Sequence, residues 1–387
     1  MNMRHILLLT LSGILAFATT AFADIKDGPA LEAPPVNLDP GPEYAPADRE
    51  FQGIPGIARA PEGRLWATWY TGGEGEGPEN YVVLKTSGDD GATWSDDVLV
   101  IDPADPVRAY DPCLWVDPEG VLWLFWAQAY QWWDGRGGVW CITTDEPDKA
   151  GPGWSEPRRI ADGVMMNKPT ALDTGEWLFP IAGWRNTGSK APEEYTHDVG
   201  DRGGSNVYIS TDQGETIEFL GQALVPETTY DEHMIVERAD DSLWMLVRTR
   251  YGIGMSTSTD RGKTWTSGEP SGIPHPSARF HIRRLDSGNL LLVRHNPPDE
   301  KTRSHLTAYL SEDDGKSWKG GLVVDERKGV SYPDTVQAAD GTIYCIYDFE
   351  RRGARHILMA TFTEEDIRAK DWISDAARQR VVVEDAG

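Results

Sequence analysis

Six positions of this chain stand just ahead of short apolar runs, and most of them carry reactive side chains. They are Gly53, Asp111, Lys168, Glu232, Arg279 or nearby Arg303, and Tyr332. Carboxyl groups can donate or accept protons, and basic side chains can hold an anion. A free tyrosine has a pKa of about 10, so it needs a neighbouring base to take its proton at neutral pH. These residue types together indicate acid–base or nucleophilic chemistry, provided that the fold brings them to one place.

A short repeat indicates which fold could do so. Four segments share the pattern S-x-D-x-G-x-[TS]-[WI], and they begin at Ser87, Ser210, Ser258 and Ser311. The glycine gives the freedom that a tight turn needs, and the aspartate side chain can bond nearby backbone N–H groups. The repeat therefore predicts hairpin turns in a modular β fold, and we expect its role to be structural.

The spacing of the apolar runs gives the number of modules. Six runs follow turns of the Asp-Gly or Glu-Gly kind, and they begin near Arg64, Val121, Glu176, Ser242, Asn289 and Thr342. Neighbouring repeats lie 48 and 53 residues apart, and a degenerate module over 139–155 fills the longest gap. Six modules of this size predict an all-β, six-bladed β-propeller, with seven blades as the alternative. We expect one helix, beginning near Thr363, where Thr-Glu-Glu-Asp resembles a capping box.

The N-terminus has the pattern of an export signal. Arg4 and His5 precede an apolar run over 6–17, and Ala21-Phe22-Ala23 matches the A-x-A cleavage pattern. The expected organisation is a signal peptide over 1–23, an extended lead-in over 24–50 and a single propeller domain over 51–387. The apolar run is too short to span a bilayer, so we expect a periplasmic or secreted protein with no membrane span.

Composition narrows the possible partners. Acidic residues outnumber basic ones by 62 to 37, which argues against nucleic acid and anionic membranes as partners. A site for an anionic ligand therefore needs local basic residues. Cys113, Cys141 and Cys345 show no zinc-site spacing, and we expect neither a metal nor a cofactor. Cys113 and Cys141 could form a disulfide or remain free thiols.

The repeats and the reactive residues together resemble the sialidase superfamily, whose Asp-box repeats have this pattern. The segment from Asp111 to Asp117 is similar to the one that carries the acid/base aspartate in that superfamily. Glu232 stands in Asp231-Glu-His-Met-Ile-Val-Glu237, which resembles the segment of the glutamate that partners the nucleophilic tyrosine. Arg248 follows Glu232 by 16 residues, as the second arginine of the sialidase triad does. The likeness extends over nearly the whole chain from Phe51.

Two further positions match the later part of the sialidase pattern. Arg303 precedes an Asp-box strand, as the third arginine does, and Tyr332 lies 29 residues later, where the superfamily keeps its nucleophile. The resemblance implies that Asp111 is the acid/base, that Glu232 activates Tyr332, and that Arg248 and Arg303 hold a substrate carboxylate. A neutral tyrosine avoids the repulsion that a carboxylate nucleophile would meet beside that carboxylate. The implied substrate is a glycan with a terminal acidic sugar, cleaved with retention.

One position departs from the sialidase pattern. The superfamily opens with Arg-Ile-Pro, whereas this chain has Gly53-Ile-Pro, so the first arginine is absent. Either Lys168 replaces it or the substrate is not sialic acid. Two other functions stay open: a polysaccharide lyase or other uronide-specific enzyme on a related propeller, and a non-catalytic glycan-binding propeller. The glycine-rich segment over 72–77 is expected to be a mobile loop.

Overall fold

Short strands make up nearly all of the regular structure. The computed structural model describes residues 27–185, 187–299 and 301–387. The signal peptide predicted over 1–23 lies outside these residues, so export stays a prediction. No helix in the described part of the chain is long and apolar enough to cross a membrane.

The strands form six antiparallel sheets, or blades, each built from consecutive strands. Blade 1 contains β1 (Val36–Asn37), β2 (Phe51–Arg59), β3 (Leu65–Gly72), β4 (Tyr81–Ser87) and β5 (Leu99–Ile101). Blade 2 contains β6 (Val107–Val116), β7 (Leu122–Tyr130), β8 (Val139–Thr144) and β9 (Arg158–Ala161). Blade 3 contains β10 (Thr170–Ala171), β11 (Trp177–Gly183), β12 (Gly204–Ser210) and β13 (Glu218–Ala223).

Blades 4 to 6 have the same four-stranded order. Blade 4 contains β14 (Met234–Glu237), β15 (Leu243–Arg248), β16 (Ile253–Ser258) and β17 (Glu269–Pro270). Blade 5 contains β18 (His281–Arg284), β19 (Leu290–His295), β20 (Leu306–Ser311) and β21 (Lys319–Asp325). Blade 6 contains β22 (Val330–Gln337), β23 (Ile343–Phe349), β24 (His356–Phe362) and β25 (Arg378–Asp385). The predicted six-bladed propeller is confirmed, and the described residues contain no seventh sheet.

Helical structure is limited to short segments. The one α-helix, α1 (Glu364–Ala369), begins after Thr363, and the predicted capping box is present between Thr363 and Asp366. Single turns of 3₁₀ helix cover Pro29–Leu31, Pro42–Tyr44, Pro46–Asp48, Glu193–Tyr195 and Gly200–Arg202. Within the described ranges these are all the helices.

The Asp-box repeats form identical turns after the third strands of blades 1, 3, 4 and 5. In the third repeat the Ser258 hydroxyl accepts a hydrogen bond from the Gly262 amide at 2.8 Å and donates one to Asp260 at 2.8 Å. Asp260 in turn accepts from the amide and the hydroxyl of Thr264 at 2.9 and 2.6 Å. Gly262 has φ +88°, which only glycine adopts freely. The predicted structural role of the repeat is confirmed.

The hydrophobic core lies between neighbouring blades. One buried cluster joins Ile57 and Leu65 of blade 1 to Ile346 and Met359 of blade 6. The ring therefore closes by side-chain packing of β2 against β22 and β23 rather than by a shared strand. Cys113, Cys141 and Cys345 are buried free thiols in these cores.

The lead-in runs along the outside of blade 1. Its strand β1 pairs with β5 in antiparallel register, Val36 opposite Ile101, and so adds a fifth strand to that sheet. The segment is thus attached to the propeller and has no separate core among the described residues.

Candidate active site

The innermost strands of three blades carry a β-bulge at the same place. The bulged residues are Ile54 in β2, Asp111 in β6 and Tyr332 in β22, with φ of 57°, 48° and 51°, and a proline follows each. A bulge interrupts the alternation of side chains and turns one of them in a new direction. The same device therefore places an acid and a phenol at corresponding positions of blades 2 and 6.

The Tyr332 phenol meets Glu232 and Arg248 in a buried hydrogen-bonded triangle. Its hydroxyl donates to Glu232 Oε1 at 2.7 Å, and Arg248 Nη1 donates to both, at 2.6 Å to Glu232 Oε1 and 2.9 Å to Tyr332 Oη. Tyr332 is 6% and Glu232 4% exposed. The side chains come from blades 6 and 4, and their residues are 100 apart in sequence.

Burial and local charge set the protonation of this triangle. Burial, followed by the negative charge of Glu232, raises the pKa of Tyr332 above its usual value, although three nearby guanidinium groups act in the opposite direction. Burial disfavours the charge of Arg248, but Glu232 and Tyr332 outweigh it and raise the pKa of Arg248. The resting site therefore holds a neutral phenol, with a charged guanidinium beside it.

The connections between the second and third strands supply the arginines. In an antiparallel blade the second strand ends at the edge where the innermost strand begins. Arg248 is the last residue of β15, Arg303 lies between β19 and β20, and Arg351 follows β23. All three connections consequently lie at the same end of the central channel as Tyr332.

Arg303 and Arg351 cover the ring of Tyr332 and line a cavity beside it. Their Cζ atoms lie 5.5 and 4.3 Å from the ring centroid. Arg303 donates to Ser331 Oγ at 3.2 Å and to the Ser277 carbonyl at 3.0 Å. The cavity measures about 570 Å³, and its lining includes three arginines and three acidic residues, which are Arg303, Arg351, Arg352, Glu76, Asp348 and Glu350. A small ligand in this cavity would lie near both guanidinium and carboxylate groups.

Asp111 is buried near the same groups and is protonated at neutral pH. It is 5% exposed, and burial, then the charge of Glu76, raises its pKa to about 8. Glu232 adds to this rise, while Arg108 and Arg351 oppose it. A carboxyl group with this pKa can donate a proton near neutral pH. Asp111, Glu232, Tyr332, Arg248 and Arg303, all selected from the sequence, thus belong to one electrostatic environment.

Lys168 is the predicted site residue that the structure does not bring to this group. Its Nζ donates to the Ile57 carbonyl at 2.8 Å and to the carboxylate of Asp334. Burial would raise the pKa of Asp334, but Lys168, His281 and Arg279 outweigh burial and lower that pKa to about 2. In this structure the Lys168 ammonium group therefore pairs with Asp334 inside the channel and is not directed at the group around Tyr332. Arg279, the alternative to Arg303 in the sequence, also belongs to this channel cluster.

Two residues of the site escape the sequence patterns used above. Arg351 lies just after the second strand of blade 6, near the strand end at which Arg248 of blade 4 and Arg303 of blade 5 also lie, and this regularity could have revealed it. Glu76 belongs to the glycine-rich loop over 72–77, and its carboxylate lies 3.8 Å from Arg351 Nη1. The loop therefore contacts the site, which its composition alone does not indicate.

Within the described residues, no group of three or more His, Cys, Asp or Glu is arranged to hold a metal ion. The chemistry described above depends on side-chain acids, a phenol and guanidinium groups.

Comparison with known proteins identifies the fold and the family. A family model described as a BNR repeat-like domain matches residues 63–345. A crystal structure of a protein of unknown function from Dyadobacter fermentans is 17% identical, with a TM-score of 0.60 over 79% of this chain and 92% of that chain. Hadza microbial sialidase Hz136 is 19% identical, with a TM-score of 0.62 over 82% of this chain and 66% of that chain.

A leech intramolecular trans-sialidase is 14% identical, with a TM-score of 0.62 over 84% of this chain and 70% of that chain. The chain thus spans about two thirds of these two enzymes (66% and 70%). Among curated proteins, none matches the chain. At such identities the structural likeness establishes the fold alone, whereas the family model covers most of the sequence. The protein therefore belongs to the BNR repeat-like family, and it shares the propeller fold of these two enzymes.

Proposed function

We propose that this protein is a glycoside hydrolase that removes a terminal acidic sugar with retention, through a covalent intermediate on Tyr332. The observation that carries the proposal is the 2.7 Å hydrogen bond from the Tyr332 hydroxyl to Glu232, bridged by Arg248. A phenol is a weak nucleophile until a base removes its proton. Glu232 is placed to accept that proton as Tyr332 Oη attacks the anomeric carbon.

Asp111 supplies the second proton transfer in this scheme. With a pKa of about 8 it carries a proton at neutral pH, which it gives to the oxygen of the leaving group. The resulting Asp111 carboxylate then takes a proton from a water molecule. The oxygen of that water attacks the anomeric carbon and breaks its bond to Tyr332 Oη. Tyr332 Oη leaves and recovers its proton from Glu232, so both acids return to their starting states.

Arg248 and Arg303 hold the carboxylate of the sugar in this proposal. Guanidinium groups bind carboxylates through charge-assisted hydrogen bonds, which suits a protein whose overall formal charge is −25. Since Arg303 covers the Tyr332 ring at the wall of the cavity, we expect its side chain to reorient as the sugar enters.

The lining of the cavity and the contacts of His233 give no support to the lyase alternative. Lyases of that kind use a histidine with a tyrosine, but no histidine is among the described residues that line the cavity beside Tyr332. His233, next to Glu232, has both ring nitrogens at 2.7 Å from backbone carbonyl oxygens, of Asp231 and Asn206. Both ring nitrogens of His233 are therefore occupied by contacts with the backbone.

The test is to measure turnover of aryl glycosides of N-acetylneuraminic acid, glucuronic acid and deoxy-sugars by wild type and Tyr332→Phe. We expect one of these to be cleaved, with more than about a hundredfold loss in the variant. NMR of the first-formed anomer should show retention. Tyr344→Phe is the matched control, because Tyr344 bonds Asp90 at 3.0 Å on a different part of the blade.

Three outcomes would contradict the proposal. Undiminished turnover by Tyr332→Phe removes the nucleophile. A product that absorbs in the ultraviolet through a new conjugated double bond indicates elimination by a lyase. Glycan binding without turnover, retained after Asp111→Asn and Glu232→Gln, indicates a binding protein.

A further inference from the structure

We propose that Arg351 is a specificity-determining residue that supplies, from blade 6, the guanidinium group that position 53 lacks. The inference rests on the proposed function for the identity of the site, and it assigns the carboxylate of the ligand to Arg351 together with Arg248 and Arg303. It follows from the observation that the Arg351 side chain packs directly against Gly53.

A side chain at position 53 would collide with the side chain of Arg351 in this arrangement. A Cβ atom added at Gly53 would lie 2.7 Å from Cδ and from Nε of Arg351, and 2.9 Å from its Cγ. Real Cβ atoms essentially never approach other heavy atoms this closely, so any side chain at position 53 would displace Arg351. The space beside the innermost strand of blade 1 is therefore occupied by an arginine from the neighbouring blade.

A buried carboxylate holds Arg351 in this position. Asp348 Oδ2 accepts from Arg351 Nε at 2.9 Å and from the Ile54 amide at 2.9 Å. Asp348 is thus bonded both to Arg351 and to the bulge of blade 1, directly after Gly53. This contact orients the guanidinium group without using all its donors.

The remaining donors of Arg351 point to a ligand. Nη2 is buried and has no hydrogen-bond partner among the described residues, and Nη1 has Glu76 at 3.8 Å. Arg351 lines the 570 Å³ cavity together with Arg303, and its Cζ lies 4.3 Å from the Tyr332 ring centroid. An unpaired guanidinium nitrogen in a low-dielectric site is costly, and a ligand carboxylate would satisfy it.

The experiment compares binding of a sugar acid with binding of its uncharged methyl ester, so it does not depend on turnover. The probes are N-acetylneuraminic acid and glucuronic acid, measured by titration calorimetry on the full chain. We expect wild type to prefer at least one acid over its ester, and Arg351→Ala to lose about ten- to a hundredfold of that preference, as expected for one charge-assisted hydrogen bond. Arg368→Ala, which removes an exposed arginine paired with Glu312 on the Asp-box side of the propeller, should keep the preference.

Substitutions at position 53 test the shared space directly. Gly53→Ala should weaken acid binding although it removes no charge, because its Cβ displaces Arg351. Gly56→Ala in the same strand is the matched control, since its added Cβ would meet only ordinary contacts of 3.4 Å or more. The double variant Gly53→Arg with Arg351→Ala should recover part of the acid preference that Arg351→Ala loses.

The results separate this inference from the proposed function. If Arg351→Ala keeps the preference for the acid, or if wild type shows none for either acid, the role of Arg351 is wrong. Turnover that depends on Tyr332 would then still support the hydrolase. If instead Arg351→Ala abolishes acid binding while wild type cleaves no glycan, Arg351 binds the carboxylate in a protein that is not a hydrolase. Circular dichroism and melting temperature of each variant exclude loss of fold as the cause.

Discussion

At the scale of single residues, the proposed nucleophile is a phenol that keeps its proton in the resting site. Burial and the charge of Glu232 both raise the pKa of Tyr332, so ionisation before reaction is disfavoured. The hydrogen bond to Glu232 lets the proton leave as the new bond forms, and Arg248 stabilises the negative charge shared by the two oxygens. The three side chains therefore act as one unit in the proposed reaction.

In the proposed reaction, Asp111 should set the alkaline limit of activity. It must be protonated to act as an acid, and its pKa is about 8. The catalytic efficiency kcat/KM should therefore fall above pH 8 by about tenfold per pH unit. Glu76 is the largest of the charges that raise this pKa, so Glu76→Gln should move the alkaline limit to lower pH.

Initial-rate measurements from pH 5 to about 10 check this prediction. Glu74→Gln is the control, because it removes the same charge from the same exposed loop but is not among the groups that raise the pKa of Asp111. An alkaline limit that stays in place in Glu76→Gln would assign that limit to another group.

At the scale of secondary-structure elements, bulges aim the reactive side chains and Asp-boxes close the opposite edge. A left-handed residue followed by proline occurs in β2, β6 and β22, and in β2 it carries the unreactive Ile54. The bulge therefore belongs to the architecture of the innermost strands, and the residue type at the bulge decides whether it has chemistry. The Asp-boxes follow third strands, which end where the innermost strands end, away from the site.

The Asp-box should accordingly affect stability and leave the site intact. Ser258 is 1% exposed, and its hydroxyl accepts from the Gly262 amide at 2.8 Å. Ser258→Ala leaves that buried amide unsatisfied and should lower the free energy of unfolding by about 1–3 kcal/mol. Urea denaturation measures the change, with exposed Ser267→Ala as control. An equal effect of both substitutions, or a change in ligand affinity, would contradict this role.

Sequence patterns predict some of these elements and miss others. The repeat and the turn spacing predict the blades, and Thr363 marks the helix start correctly. Arg351 is harder to recognise, because it lies in a turn and matches no motif, and its importance comes from its packing against Gly53. Lys168 has the right charge and the right place in the pattern, yet its side chain binds Asp334 inside the channel.

At the scale of the whole molecule, a buried ionic cluster joins the two ends of the described chain. Arg49 of the lead-in contacts Asp97 of blade 1 and lies 3.4 Å from Glu384 of the last strand. Lys85 lies 2.6 Å from the same Glu384 carboxylate. The cluster bridges blades 1 and 6, in addition to the side-chain packing and hydrogen bonds, such as that from the Ile54 amide to Asp348, at the same junction.

Removing Arg49 should therefore destabilise the closed ring. Its side chain is 0% exposed, so Arg49→Met would leave the buried Asp97 carboxylate without its close partner, at a cost of about 3–5 kcal/mol. The comparison is Lys319→Met, which breaks an exposed pair with Glu312 and should cost less than about 1 kcal/mol. Differential scanning calorimetry measures both, and similar melting temperatures would show that the cluster does not stabilise the ring.

The sequence by itself determined the repeat, the number of blades and most members of the site. These follow from local physics: glycine and aspartate specify turns, apolar runs specify strands, and residue types limit the chemistry. Only the tertiary structure decided that Arg351 fills the space beside Gly53, that Lys168 faces Asp334, and that Asp111 keeps its proton. These features depend on burial and on neighbours from other blades, and such contacts between residues distant in sequence arise only when the ring has closed.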